Sequence, residues 1–274
     1  MSGPPPHEDW AGTGHAPAGA APRIASLVPS LTELLFALGL GERVVARTGF
    51  CVHPRDAIKA VPKIGGTKDF DLAALRALKP THLVVNVDEN RRDAVDAARE
   101  FVPHIVVTHP CAPDENRRLY ALFGAIFDRE REAARLDAEF VAATGELDAA
   151  VSDLPRERVV YVIWKKPWMA VARGTYIAST LARAGWDTLP DAADARYPTL
   201  DDDDAAWHAA DRILLSSEPY AFRPRDVESC AARCARACHL VDGEMVSWYG
   251  PRAIAGMRYL ARLRQATAGR ASPR

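Results

Sequence analysis

Apolar residues along this chain form two kinds of pattern. Short, nearly continuous apolar runs at residues 23–28, 81–86 and 158–164 predict strands buried in a parallel sheet. Runs with apolar residues three or four positions apart, as at residues 31–38 and 175–184, predict amphipathic helices. Because the two patterns alternate, the sequence predicts an α/β fold.

One stretch, residues 128–154, predicts a single long helix. Glu and Arg crowd its first turns, and apolar residues recur at Leu136, Phe140, Val141 and Leu147. A helix of about two dozen residues is roughly 35 Å long. We therefore predict two doubly wound, Rossmann-like lobes joined by a long backbone helix, with a cleft between the lobes.

The predicted domain boundaries follow from these patterns. They are an N-terminal lobe at 23–127, the backbone helix at 128–154 and a C-terminal lobe at 155–268. Residues 1–22 are rich in Pro, Gly and Ala without periodicity, so we predict a disordered tail there, and a second tail at 269–274. At 274 residues the chain exceeds the usual size of one core, which agrees with two domains.

Composition and charge exclude several classes of partner. The chain has 48% hydrophobic residues, with 35 basic against 36 acidic side chains, so no electrostatic reason for binding nucleic acid exists. No apolar run is long enough to cross a bilayer. The first 22 residues lack a basic segment followed by an apolar one, which a secretory signal requires. As written, the chain is expected in the cytoplasm, or in the periplasm if a leader is missing.

Catalytic motifs are absent from the sequence. It contains no G-x-S-x-G nucleophile elbow, no glycine-rich phosphate loop and no pair of histidines at metal-binding spacing on one helix. We therefore predict a protein that is not an enzyme and has no intrinsic cofactor.

Three cysteines raise the question of a metal. Cys230, Cys234 and Cys238 are spaced four apart, and His239 follows, so three thiolates and an imidazole could hold zinc. A strand should begin near Cys238, however, and would separate it from the helix face of the other two. We therefore expect small buried thiols and no metal.

Several segments together resemble a known family. They are ASLVPSLTELLFALGLGERVV, FCVHP, LAALRALKPTHLVV, the long helix, WKKPWMAV and DGEMVSWYGPRA. In this order they resemble the helical-backbone (class III) substrate-binding proteins of ABC importers, with the cobalamin-binding members closest. The resemblance extends over residues 23–266.

The resemblance implies non-catalytic binding of cobalamin, or of a related metal chelate, in a preformed cleft with aromatic walls. Ligands of doubly wound sheets bind beyond the carboxyl ends of strands. Aromatic rings and one imidazole follow such strands or later loops of the second lobe, and they are the predicted ligand-binding residues: Phe50, His53, Trp164, Trp168, Tyr197, Trp248 and Tyr249.

The resemblance also implies a monomer that docks to an ABC-importer permease through one glutamate on each lobe. On the N-terminal lobe the matching position is occupied by Ala73, with Asp71 near it, and on the C-terminal lobe Asp203 is nearest, in the acidic run at 201–204. Alternatives remain open at this point. The ligand could be a ferric siderophore or haem, and the protein could instead handle corrinoids inside the cell.

Overall fold

The computed structural model describes residues 8–191 and 194–268, and it divides into two units. The N-terminal unit comprises residues up to Pro110 together with Asp114–Phe140 and Tyr249–Arg252. The C-terminal unit comprises Cys111–Pro113, Val141–Trp248 and residues from Ala253 onward. The predicted tail at 269–274 and the first seven residues lie outside the described residues.

The N-terminal unit is built on a parallel sheet of four strands in the order β2-β1-β3-β4. Its core consists of apolar side chains from the strands and from the helices that cover them. Because both faces are covered, the strands are mainly apolar, as the sequence predicts. The strands are β1 (Ile24–Ser26), β2 (Val44–Arg47), β3 (His82–Asn86) and β4 (His104–Thr108).

Helices connect the strands of this unit, with short 3₁₀ turns at Gly41–Arg43 and Ala57–Ala60. Asp71 begins α2 as its N-cap, because its carboxylate accepts hydrogen bonds from the backbone N–H groups of Ala73 and Ala74. The helices are α1 (Pro29–Ala37), α2 (Leu72–Ala77), α3 (Arg92–Ala98) and α4 (Glu115–Phe127).

The predicted long helix is shorter than expected. It is observed as α5 (Glu130–Val151), and the predicted start at Asp128 belongs to the preceding helix. Asp128 ends α4 in the left-handed conformation, at φ 55°. Aspartate tolerates this conformation better than most residues, so it supports a sharp change of direction between the two helices. The N-terminal unit ends within α5, at Phe140.

The prediction of a disordered tail over residues 1–22 is wrong for its described part, residues 8–22. The Asp9 carboxylate is buried and accepts hydrogen bonds from the backbone N–H groups of Ala11, Thr13 and Val107. The Arg118 guanidinium lies 4.1 Å from the ring centroid of Trp10. Val107 and Arg118 are about a hundred residues away in sequence, so the local composition gave no sign of these contacts.

The C-terminal unit contains a mixed sheet of six strands. One path runs β10-β9-β5-β6-β8, and β7 pairs with β5 beside it. The first half of β5 pairs in parallel with β7, whereas its end pairs antiparallel with β6. The strands are β5 (Glu157–Trp164), β6 (Trp168–Ala170), β7 (Trp186–Thr188), β8 (Thr199–Leu200), β9 (Arg212–Ser216) and β10 (Ala237–Val241).

This mixed sheet differs from the all-parallel sheet of the N-terminal unit. The additional strands β6, β7 and β8 have only two or three residues each, too few to show a period of two in the sequence. The helices of this unit are α6 (Tyr176–Arg183), α7 (Ala205–Ala209), α8 (Pro224–Cys234), α9 (Gly243–Ser247) and α10 (Pro251–Ala268), whose first two residues belong to the N-terminal unit.

Candidate functional site

An exposed phenyl ring lies beyond the carboxyl end of β2 in the N-terminal unit. Phe50 is 63% exposed, and a Cβ added at Gly66 would lie 3.6 Å from its ring. Its neighbour Cys51 is fully buried, and burial raises the pKa of the Cys51 thiol. The ring therefore projects from a chain segment that is itself anchored in the core.

A buried arginine provides that anchor. The Arg47 guanidinium, 4% exposed, donates hydrogen bonds to the carbonyl groups of Cys51 (2.9 Å), Thr48 (3.2 Å), Ile58 (3.1 Å) and Val61 (3.2 Å). One side chain thus holds several turns of the loop that carries Phe50. Sequence reasoning missed Arg47, although an arginine at the end of an apolar strand is a recognisable signal of a buried hydrogen-bonding role.

Tyr249 also belongs to the N-terminal unit, but it is nearly buried. Its hydroxyl donates a hydrogen bond of 2.7 Å to Glu89, which follows β3. Burial, followed by the negative charge of Glu89, raises the pKa of Tyr249 well above its ordinary value. Next in the chain, the Gly250 N–H donates to Asn116 (2.6 Å) and the Gly250 carbonyl accepts from Tyr120 (2.8 Å). These bonds fix the segment as a rigid part of the unit.

In the C-terminal unit, an aromatic pair lies at the carboxyl edge of the sheet. Trp164 ends β5 and is 40% exposed, and Tyr220 follows the neighbouring parallel strand β9. Their ring centroids are 5.6 Å apart in an edge-on arrangement. Tyr220 was not predicted, although its segment SSEPYAF follows a strand and fulfils the strand-end rule that identified Trp164.

Trp168 has a packing role in this unit. Its ring stacks on Phe222 at 6.2 Å between centroids, contacts Trp207 edge-on at 5.7 Å, and lies 5.0 Å from the Arg233 guanidinium. Its indole N–H donates to Asp202 at 2.8 Å. Ligand contact by Trp168 stays a prediction. The observed contacts show that its ring packs against other aromatic side chains of the same unit.

Trp248 is 9% exposed, and the half-buried carboxylate of Glu218 fixes it. Its indole N–H and the Ser247 hydroxyl each donate a hydrogen bond of 2.8 Å to Glu218 Oε1. Burial raises the pKa of Glu218 above its ordinary value, although both hydrogen bonds act in the opposite direction. Gly243 permits this packing, because a Cβ there would lie 2.5 Å from Glu218 Cγ.

Two further predicted residues are half-buried. His53 lies in the same loop as Phe50, and Tyr197 lies in the C-terminal unit with the Arg196 guanidinium 6.0 Å from its ring centroid. Ligand contact by either residue stays a prediction. The structure thus places Phe50, His53 and Tyr249 in one unit and Trp164, Trp168, Tyr197 and Trp248 in the other.

The predicted docking residues differ in their surroundings. Asp71 is exposed, but its carboxylate caps α2. Asp203 is exposed in the turn before α7, which the next residue, Asp204, begins as N-cap. Neither observation tests docking to a permease.

A cavity of about 320 Å³ lies elsewhere in the N-terminal unit. It is bordered by the end of β3, including Asn86, and by Arg92 and Asp96 of α3. None of the predicted ligand-binding residues lines it. Among residues 8–191 and 194–268, no helix is both long and apolar enough to span a membrane.

Proteins similar to this chain in sequence include vitamin B12-binding proteins. The chain is 23% identical over 183 residues to a vitamin B12-binding protein of Vibrio vulnificus, which covers 66% of this chain and 67% of that relative. It is 39% identical to a vitamin B12-binding protein of Yersinia pestis over only 64 residues, which are 23% of this chain and 22% of that relative.

Solved structures share the fold. The periplasmic heme-binding protein RhuT from Roseiflexus sp. RS-1 superposes with a TM-score of 0.75 at 23% identity, over 91% of this chain and all of that one. The periplasmic vitamin B12 binding protein BtuF of Vibrio cholerae gives a TM-score of 0.75 at 18% identity, over 89% of this chain and 98% of that one.

These similarities confirm the predicted α/β fold class and the resemblance to substrate-binding proteins of importers. The family model described as periplasmic binding protein matches residues 24–229, which include most of both units. This chain belongs to the periplasmic binding protein family.

Proposed function

We propose that this protein binds a corrinoid, cobalamin or a close relative, without chemically changing it. The observation that carries the proposal is the pair of exposed rings Phe50 and Trp164, one at the carboxyl edge of each sheet. Large aromatic side chains exposed at strand ends provide apolar area for a flat macrocycle at low entropic cost. The relatives named as vitamin B12-binding proteins support the choice of corrinoid.

Contacts that hold these two rings in place before binding favour the binding of a rigid macrocycle. Arg47 holds the loop of Phe50 through four carbonyl groups, and Tyr220 packs against Trp164. Side chains held in place before binding lose little further freedom when the ligand arrives.

The test is a parallel calorimetric titration of the purified protein with cyanocobalamin, haem and a ferric siderophore. We expect saturable binding of cyanocobalamin at one molecule per chain. Recovery of the corrinoid unchanged after incubation, measured by chromatography, is expected of a non-catalytic binder. Absence of saturable cyanocobalamin binding would refute the proposal, and chemical conversion of the corrinoid would refute its non-catalytic part.

Two variants test the residues. Phe50→Ala and Trp164→Ala should each weaken cyanocobalamin binding by more than about tenfold, which corresponds to about 1.4 kcal/mol. Phe101→Ala is the matched control, because Phe101 precedes β4 and so lies toward the opposite, amino edge of the N-terminal sheet. Equal affinities of Phe50→Ala and Phe101→Ala would remove Phe50 from the site.

Haem is the second candidate ligand. Imidazole is a common axial ligand of haem iron, and His53 lies three residues after the exposed Phe50 in the same loop. If haem is the ligand, the absorption spectrum of the bound haem should change in His53→Ala. An unchanged spectrum would exclude His53 as the axial ligand.

Delivery to a membrane permease is a further part of the proposal. The carboxylates of Asp71 and Asp203 are both exposed, and acidic surface groups can pair with arginines of a partner. A charge reversal, Asp203→Lys, should lower corrinoid uptake by cells without changing the affinity of the purified protein. Fractionation of cells shows whether the protein is in the cytoplasm, as predicted from the sequence, or in the periplasm, the compartment in the name of the family.

A further inference from the structure

Three thiols converge in the C-terminal unit, at the end of α8 and the start of β10. The Sγ atoms of Cys230, Cys234 and Cys238 all lie within 4.8 Å of one another. The Cys234 and Cys238 sulfurs are 3.9 Å apart. The expectation that the start of the strand would separate Cys238 from the other two is therefore wrong.

The local fold explains why the sulfurs meet. Cys230 and Cys234 are one turn apart on the buried face of α8, whose last residue is Cys234. Ala235, in the left-handed conformation at φ 52°, turns the chain, and β10 begins two residues later at Ala237. The side chain of Cys238 then packs against the same apolar cluster as the two helical cysteines.

The dimensions match those of a metal–thiolate site. A zinc–sulfur bond is about 2.3 Å, so two thiolates on one tetrahedral zinc are about 3.8 Å apart. The observed 3.9 Å between Cys234 and Cys238 already has this value, and the 4.8 Å limit on the other pairs requires only small side-chain adjustments. Within the described parts of the chain, this is the one cluster of at least three Cys, His, Asp or Glu ligand atoms with such spacing.

His239 does not complete the set. Successive residues of a strand point to opposite faces, so the imidazole lies across the sheet from the Cys238 thiol. There its Nε2 atom lies 2.7 Å from an Arg212 guanidinium nitrogen. The fourth tetrahedral position therefore has no ligand among the Cys, His, Asp and Glu side chains of residues 8–191 and 194–268.

Positive charge lies beside the sulfurs. Arg233, between the two helical cysteines, interacts electrostatically with both of their thiols. Its Nη1 atom donates a hydrogen bond of 2.9 Å to the Asp202 carbonyl, whereas its Nε and Nη2 atoms are buried without a hydrogen-bond partner among the described residues. Zinc with three thiolates carries one net negative charge, and a neighbouring guanidinium would stabilise that charge in an apolar environment.

We propose that Cys230, Cys234 and Cys238 form a binding site for one zinc ion, with the fourth coordination position open. Binding converts three S–H groups to thiolates and releases up to three protons per zinc. Cys238 is half-buried, whereas the other two thiols are buried, so the ion enters from the side of Cys238.

The first experiment uses the wild-type chain, reduced and free of metal, with zinc sulfate as the probe. The chain has five cysteines, and we expect one equivalent of zinc to slow the reaction of three of them with a thiol reagent. The unfolding temperature should rise with zinc. Unchanged reactivity, or a protein that gains a disulfide within the cluster instead of binding zinc, would overturn the proposal.

The second experiment uses variants and cobalt(II), which reports thiolate ligands by charge-transfer absorption. Cys238→Ser should weaken zinc binding by more than about 100-fold, since even loss of a group that supports a ligand costs 10- to 100-fold. Cys111→Ser is the matched control, because that thiol lies outside the cluster. Cys238→Ala provides a second variant, and circular dichroism verifies that both fold.

The outcomes separate cleanly. Charge-transfer absorption in wild type and in Cys111→Ser, absent from both Cys238 variants, supports the site. Equal absorption in all four proteins would place the metal elsewhere and overturn it, as would binding of copper(I) with no binding of zinc. None of these measurements depends on the corrinoid, so the site can stand or fall separately from the proposed function.

Discussion

The indole N–H of Trp248 donates a hydrogen bond of 2.8 Å to the carboxylate of Glu218. Ser247 donates a second bond to the same oxygen, so one half-buried acid fixes the end of α9. Burial nevertheless raises the pKa of Glu218 above its ordinary value of 4.5. The carboxylate that orients Trp248 therefore carries its charge at a cost to stability.

Replacing this acid by its neutral analogue should change how stability depends on pH. Because the folded-state pKa is raised, the folded protein binds more protons than the unfolded chain between the two pKa values. Stability should then fall as pH rises from about 4.5 through the folded-state value. Glu218→Gln keeps a hydrogen-bond acceptor for Trp248, but its stability should not fall with pH in this range, because glutamine does not titrate. Urea unfolding at a series of pH values measures the difference.

Glu42→Gln is the control for this prediction, because Glu42 is an exposed glutamate of the N-terminal unit. We expect the stability of Glu218→Gln relative to wild type to increase with pH, whereas that of Glu42→Gln stays level. Parallel curves for all three proteins would show that the Glu218 carboxyl has the same pKa folded and unfolded.

How far the sequence could predict this structure differs between the units. In the N-terminal unit, the strand predicted at 81–86 is observed at 82–86, because an apolar run bounded by Pro, Gly or Asp is a local signal. Strands β6 and β7 pair with β5, and β8 pairs with β6. Their pairing partners are not encoded in their own two or three residues.

In the candidate site, too, local sequence signals predicted some features, whereas contacts between distant residues could not be predicted. The strand-end rule identified Phe50 and Trp164, which are exposed at those edges. It could not reveal that the polar atoms of Trp248 and Tyr249 are occupied by Glu218 and Glu89, since those glutamates are 30 and 160 residues away. The convergence of the three cysteines was missed for a related reason, because it depends on a single residue, Ala235, adopting a positive φ.

The buried Asp9 should be essential for the order of the N-terminal segment. It accepts hydrogen bonds from three backbone N–H groups, and its Oδ2 atom lies 3.0 Å from Nε2 of the His15 imidazole. These bonds outweigh the effect of burial and lower the pKa of Asp9. Asp9→Ala leaves the donors, including that of Val107, without an acceptor. We expect a loss of about 3 kcal/mol in the free energy of unfolding.

Hydrogen exchange resolved by residue, together with urea unfolding, measures this effect. Amides of residues 9–18 should lose protection in Asp9→Ala. The matched control is Asp56→Ala, because Asp56 forms an exposed ion pair with Lys59 and should contribute less than about 1 kcal/mol. Protection of the segment that survives in Asp9→Ala would mean that Trp10 and its contact with Arg118 hold the segment without the carboxylate.

Acid should destabilise the N-terminal unit through His82. Its imidazole is buried and stacked on His104 at 4.8 Å between centroids. Burial first, then the charges of His104 and His15, lower the pKa of His82 from 6.5 to about 4. Between these values the unfolded chain binds the proton and the folded protein does not, so stability is lost as pH falls from 6.5 toward 4.

Urea unfolding at pH values on both sides of this window tests the role of His82. His82→Asn should be less stable than wild type at neutral pH, since it loses the ring contacts, but its stability should decline less on acidification. His208→Asn serves as the control, because His208 is exposed on α7. If the decline is as steep in His82→Asn as in wild type, another group is responsible for the acid sensitivity.

Ala235 occupies the left-handed conformation that glycine adopts at lower cost, and it follows the last residue of α8 directly. The Cβ of alanine destabilises this backbone conformation by about 1–2 kcal/mol. Glycine offsets about half of that gain, because it raises the conformational entropy of the unfolded chain and so stabilises the unfolded state. Ala235→Gly should therefore raise the free energy of unfolding by up to about 1 kcal/mol.

Ala232→Gly, three residues earlier on the exposed face of the same helix, should lower the free energy of unfolding by about 1 kcal/mol. Opposite signs in urea unfolding are expected, because the two changes are chemically identical and differ only in backbone conformation. Destabilisation of both variants to the same extent would show that the chain does not turn at Ala235 as observed.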